Sequence, residues 1–145
     1  VFQATGNSGP AFTVPAKMPY MFKDLQRLSA YYQIPLKIPA NFPANTVTIQ
    51  RVLCAASDAE RPALTHKLYE AYWGQGLDVT NVELLTQLVG AELVAKTQED
   101  SVKNALKANT EEVVARGAFG APTFFLGDDM FFGSDRFFLI QEALK

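Results

Sequence analysis

Gly120-Ala121-Pro122-Thr123-Phe124-Phe125-Leu126-Gly127-Asp128-Asp129-Met130-Phe131-Phe132-Gly133-Ser134-Asp135-Arg136 is the stretch on which the fold turns. Thr123-Phe124-Phe125-Leu126 reads as a strand, Gly127-Asp128-Asp129 as a turn and Met130-Phe131-Phe132 as a second strand, so the stretch predicts a β-hairpin. A proline opens the first strand directly after a short Gly-containing loop. Ser134 stands where an N-cap belongs, ahead of a final helix carrying Phe137, Ile140, Ala143 and Leu144. A two-stranded hairpin by itself is marginal in water. Phe124, Phe125, Phe131 and Phe132 therefore call for partner strands, or for helices that cover them.

Upstream of the hairpin the period is helical. Leu93/Val94, Val102, Leu106 and Val113/Val114 supply the apolar stripes of two helices that end near Arg116, and Gly117 sits where a C′ residue belongs. Thr80 with Glu83 and Ser57 with Glu60 both have the capping-box form, each ahead of an apolar run. Gly90 ends the first of these helices and Gly74-Gln75-Gly76 the second. Asn45 or Thr46 caps a further helix through Ala56. Met21, Leu25, Leu28 and Tyr32 give an amphipathic helix that stops before Ile34-Pro35. Residues 4–19, rich in Gly, Pro, Asn, Ser and Thr, read as loop.

The 145 residues are 48% hydrophobic with a net charge of −2, which excludes disorder. No Lys/Arg-dense block marks a nucleic-acid or anionic-membrane partner, and no apolar run is long enough to span a bilayer. The single cysteine, Cys54, and single histidine, His66, leave no internal disulfide framework and no ordinary zinc cage, so no metal is expected. Cys54 lies in a helical apolar run and reads as a small packed side chain; Tyr20, Tyr72 and Trp73 read as packing residues. Asp128-Asp129 reads as a solvated turn, since two adjacent carboxylates hold no cation without further ligands.

Two segments resemble one family. Ala108-Asn109-Thr110 through Phe119-Gly120-Ala121-Pro122 to Phe132-Gly133-Ser134-Asp135-Arg136 is similar to the C-terminal half of the kappa-class glutathione transferases and 2-hydroxychromene-2-carboxylate isomerases, in the DsbA-like branch of the thioredoxin superfamily. Ala4-Thr5-Gly6-Asn7-Ser8-Gly9-Pro10, Pro15-Ala16-Lys17 and Tyr20-Met21 resemble the loop and helix that follow the family's second strand. The resemblance implies an α/β, thioredoxin-like (DsbA-like) fold with an all-helical insertion domain. In that frame residues 1–40 form the glutathione-side loop and helix, 41–108 the helical insertion, and 109–145 the C-terminal thioredoxin half with its cis-proline loop, hairpin and helix. The family's catalytic Ser belongs to an N-terminal β-α-β unit that would precede Val1, so the sequence offers no residue for that role. A chain beginning at Val1 is accordingly expected to be poorly folded and poorly active.

The resemblance further implies glutathione as cofactor. A free thiol is largely protonated at neutral pH, and an enzyme of this kind holds its anion with preorganised donors. Ala121 and Pro122 match the anchor for the tripeptide backbone, because the residue before a cis-proline presents its N–H and C=O to an extended peptide. Ser134, Asp135 and Arg136, at the head of the last helix, match contacts to the ligand's carboxylate and ammonium, and Asn7 and Lys17 match the opening loop's contacts. The implied enzyme is a glutathione-dependent isomerase or transferase acting on a small aromatic or electrophilic molecule, working as a homodimer in the cytoplasm or in an organelle. Two other readings compete with it. One is a DsbA-type thiol-disulfide oxidoreductase, whose Cys-x-x-Cys would lie in the unit preceding Val1; it needs two cysteines, and only Cys54 is visible here. The other is a non-catalytic helical interaction module or inactive fragment.

Overall fold

The computed structural model describes Gly6 and residues 14–145. The elements run α1 (Lys17–Tyr32), α2 (Val47–Ala55), α3 (Arg61–Tyr69), a π-helical turn (Glu70–Gly74), α4 (Val82–Val89), α5 (Ala91–Lys96), α6 (Asp100–Ala115), β1 (Thr123–Leu126), β2 (Asp129–Phe132), a 3-10 turn (Ser134–Arg136) and α7 (Phe137–Ala143). They fall into two compact units, one of Val1–Met18 with Asn109–Lys145 and one of Pro19–Ala108. No helix among the described residues is long and apolar enough to cross a membrane.

The Pro19–Ala108 unit holds the core. Ile49 and Val52 of α2, Leu68 of α3, Ala71 and Tyr72 of the π turn, Val79, and Leu85 of α4 are buried against one another. The expected capping box at Ser57 forms: Ser57 N–H donates to Glu60 Oε2 at 3.2 Å and Glu60 N–H to Ser57 Oγ at 3.3 Å. The second expected box does not. The cap of α4 is Asn81, whose Oδ1 accepts from Leu84 N–H at 3.0 Å. Thr80 is drawn instead to Asp78, whose Oδ1 takes both the Thr80 N–H (2.9 Å) and its hydroxyl (2.5 Å), leaving the next residue to cap. Asn45 Oδ1 accepts from Val47 N–H at 3.1 Å at the head of α2, as its residue type predicts.

Two helical expectations change in detail. Gly74-Gln75-Gly76 ends the helical run as expected, but the last turn before it widens into the π turn, with Gln75 N–H bonded to Glu70 C=O at 2.8 Å. The stripe Met21, Leu25, Leu28 and Tyr32 of α1 stays exposed, and Tyr20 with it. The extended residues 34–36 meet that helix only partly. Between them lies a cleft of about 310 Å³ lined by Leu25, Leu28, Tyr32, Ile34, Tyr69 and Trp73 among others.

In the other unit α6 ends in a Schellman motif. Ala118 N–H bonds Val113 C=O and Gly117 N–H bonds Val114 C=O, both at 2.9 Å, with Gly117 at φ 90°. After the loop 118–122 comes the hairpin, with Thr123 opposite Phe132 and Leu126 opposite Asp129. Asp129 thus belongs to β2, and the turn is the two residues Gly127-Asp128 rather than three. Among the described residues the sheet has two strands. Helical neighbours supply contacts to its aromatics, Phe137 to Phe124 and Arg116 to Phe125.

Candidate functional site

The Ala121-Pro122 peptide bond is cis, as the sequence context suggests, and a second cis bond joins Phe42 and Pro43. Both Ala121 and Pro122 are exposed. The Pro122 carbonyl accepts from Gly133 N–H at 3.0 Å, which joins the proline loop to the Gly133-Ser134-Asp135-Arg136 turn across the open end of the hairpin. On the other side of the bend, Thr123 Oγ1 donates to Gly120 C=O at 2.7 Å. The N–H and C=O of Ala121 make no hydrogen bond within the described residues. Gly120 belongs where it is for steric reasons: a Cβ there would lie 3.0 Å from Phe132 Cε2, and that ring also packs on Phe119 at 4.6 Å between centroids.

The turn after the hairpin departs from expectation. Ser134 makes no capping bond, because residues 134–136 form a tight 3-10 turn and α7 starts only at Phe137. Asp135 fills the space instead, since its Oδ1 lies 2.5 Å from where a Cβ on Gly133 would stand, with Gly133 at φ 101°. Its other oxygen, Oδ2, accepts from Arg136 Nη1 at 2.5 Å. Arg136 and Asp135 keep 48% and 72% of their side-chain surface. With seven residues and no side-chain cap, α7 provides no helix-dipole anion site. The charged groups at this end are the Asp135 and Arg136 side chains.

The structure thus brings Ala121, Pro122, Ser134, Asp135 and Arg136 to one end of the hairpin. Lys17, exposed as the first residue of α1, lies in the same compact unit and has no bond to them among the described residues. Asn7 lies outside the described residues. Cys54 is part-buried in α2 and His66 is exposed on α3, each away from these residues in sequence and in the other unit. Trp73 packs on Phe42 and Tyr72, at 5.6 and 4.8 Å between ring centroids, and also lines the cleft beside α1.

One residue at the foot of the proline loop escaped the sequence reading. Arg116, the residue after α6, donates from Nη2 to Gly127 C=O at 2.5 Å and lays its guanidinium over the Phe125 ring at 3.8 Å. Nothing in the helical period marks it, because its partners lie about ten residues on, beyond a turn.

A ligand suited to the hairpin end would be an extended peptide with charged termini. Ala121 offers a backbone donor and acceptor that have no partner among the described residues. Asp135 and Arg136 set an anion and a cation side by side, the complement of an α-amino acid zwitterion, and Lys17 offers the unit another exposed cation. This donor set fits glutathione, a tripeptide with two carboxylates, an ammonium and a thiol.

Comparison with known proteins places the chain in a family. The family described as DSBA-like thioredoxin domain matches residues 1–145. The chain is 32% identical to a 2-hydroxychromene-2-carboxylate isomerase of Pseudomonas putida, over 97% of this chain and 72% of that protein. It is 30% identical to glutathione S-transferase kappa 1 of Rattus norvegicus, over 99% of this chain and 73% of that one. A solved structure of a 2-hydroxychromene-2-carboxylate isomerase superposes with a TM-score of 0.81 at 27% identity, covering 98% of this chain and 74% of that one.

Proposed function

The chain belongs to the DsbA-like thioredoxin family, with 2-hydroxychromene-2-carboxylate isomerases and kappa-class glutathione transferases as relatives, and on that footing we propose that it is a glutathione-dependent isomerase or transferase of a small aromatic or electrophilic molecule. The observation that carries this reading is the pair of named activities found along nearly the whole chain, at 97% and 99% coverage. The donor set at the hairpin end supports it.

Glutathione, when bound, supplies a thiolate nucleophile. The residues of this chain bind and orient it. Ala121 N–H and C=O pair with the tripeptide main chain as an added strand. Asp135 holds the ammonium and Arg136 the neighbouring carboxylate, exchanging their mutual ion pair for one with the ligand. Lys17 and Asn7 take the remaining polar groups from the opening segment, and Ser134 lends a hydroxyl to the turn.

Calorimetric titration with glutathione tests the binding, and a protein with no heat at millimolar ligand is not this enzyme. Turnover assays with a 2-hydroxychromene carboxylate and with an aryl halide then separate the two activities. Glutathione consumed in step with product identifies a transferase; product formed at constant glutathione identifies an isomerase.

A further inference from the structure

The loop that presents Ala121 joins α6 to β1. It leaves α6 at Gly117, bends at Pro122 and enters β1 at Thr123, and Ala118 is its one buried residue. What closes it is a tie between its two flanks. Arg116, the last residue before the loop, reaches across to the hairpin turn and donates to Gly127 C=O at 2.5 Å. The same guanidinium covers the Phe125 ring at 3.8 Å, and Glu112, one turn back on α6, lies 3.6 Å from Nη1. A planar group is thereby held by a carboxylate on one edge, a carbonyl on another and an aromatic face beneath.

This geometry fixes the direction in which β1 leaves the loop. Residues 117–126 are bounded by one clasp, and the position of Ala121 follows from where the clasp sets Phe125 and Gly127. Thr123 Oγ1 on Gly120 C=O, Gly133 N–H on Pro122 C=O and the Phe119–Phe132 ring contact also hold the loop, and the clasp adds a restraint at the far end of β1. The geometry points to Arg116 as a positioning residue for the glutathione site, an inference that rests on the glutathione reading above. It touches no ligand and acts through Phe125, Gly127 and the strand between them and Pro122. Arginine is required, because lysine keeps the charge but lacks the planar face that stacks and the fork that bonds in two directions.

Glutathione affinity by calorimetry, KM and kcat, and thermal midpoints would be measured for the unsubstituted protein and for Arg116→Ala, Arg116→Lys and Phe125→Leu. Leu85→Val serves as a control that lowers stability from the other unit. Both Arg116 variants should bind glutathione about tenfold more weakly, with KM for glutathione rising more than kcat falls, as expected when a binding group is displaced by a fraction of an ångström. Phe125→Leu should show a smaller loss, and Leu85→Val none below its melting range. Arg116→Lys, folded at the assay temperature and binding as the parent does, overturns the inference even if Arg116→Ala fails to fold. A loss that merely tracks the thermal midpoint, and so appears equally in Leu85→Val, overturns it too. An unsubstituted protein with no affinity for glutathione overturns the functional reading, and this inference with it.

Discussion

The Pro19–Ala108 unit and the unit built from Val1–Met18 and Asn109–Lys145 obtain their order by different means. In the first, whole side chains leave water: Val52, Leu68, Val79 and Leu85 are at most 3% exposed. In the second, Ala118 is the one buried residue among those described, and shape comes from directional ties. These are the Schellman motif at Gly117, the Arg116 clasp, the bond from Gly133 to Pro122 and the contact of Phe124 with Phe137 at 5.0 Å. Apolar burial is the larger and less specific source of stability, whereas directed bonds contribute less energy and more geometry. A surface meant to meet a polar ligand has to keep its donors in water until the ligand arrives. The difference between the units is therefore the one expected if one unit supplies stability and the other recognition.

Substitution at Leu85 probes that division most strongly. Leu85 is 1% exposed within the core, so Leu85→Ala should lose about 2–5 kcal/mol in denaturant unfolding, transfer and cavity terms together. Glutathione affinity of the protein that stays folded should not move. A loss under about 1 kcal/mol would show that this core can collapse around the gap and that stability lies elsewhere.

The converse probe is Arg136→Ala. Removing a charged hydrogen-bond partner from the ligand should weaken glutathione binding by roughly 1–3 kcal/mol, near the lower end because about half of the side chain is in water. Lys17→Ala is expected to act in the same direction. Unfolding midpoints should change little in either, since exposed ion pairs contribute little to stability. Equal affinity of both variants and the parent would remove the site from this end of the hairpin.

Gly133→Ala joins the two kinds of effect in one residue. A side chain at φ 101° is strained by about 1–2 kcal/mol, and its Cβ would occupy the place of Asp135 Oδ1. Stability should fall by about that strain and affinity should fall with it, as Asp135 is driven off its position. If affinity survives while stability drops, the carboxylate has no part in binding.

How far the sequence reaches also differs between the units. Helices with a strong apolar period and a local stop signal were legible: α1 ends before Ile34-Pro35, α6 ends at Gly117, and the Ser57–Glu60 box forms. Signals that compete within two residues were not. Thr80 and Asn81 are both good caps, and only the carboxylate of Asp78 beside Thr80 decides for Asn81. Ser134 reads as a cap by residue type, yet the length of the turn is set by how Asp135 folds over Gly133, a contact no periodicity encodes. The proline loop and the turn at 133–136 were readable as a pair because each carries a local motif. The clasp at Arg116 was not, since a bond between residues eleven apart depends on the hairpin having formed.

Acid should act on the helical unit first, and by the smallest of these effects. Glu60 is held below its ordinary pKa by the Ser57 hydroxyl and N–H, and Asp78 below its own by the Thr80 hydroxyl and N–H with the Asn41 amide. In each, the folded carboxyl has a lower pKa than the unfolded one, so the unfolded state binds protons first as pH falls. The stability they contribute is complete above the unfolded carboxylate range, near pH 4, and is lost as pH falls through that range and the folded values beneath it. Lys96, raised by Glu92, follows the opposite rule, its own deprotonation costing stability as pH rises. Unfolding midpoints measured from pH 6 down to pH 3 should therefore decline, and more shallowly in a Glu60→Gln, Asp78→Asn double variant than in the parent. Parallel curves would mean that the two carboxylates keep the same partners in the unfolded chain, and that these caps organise the helices without adding to their stability.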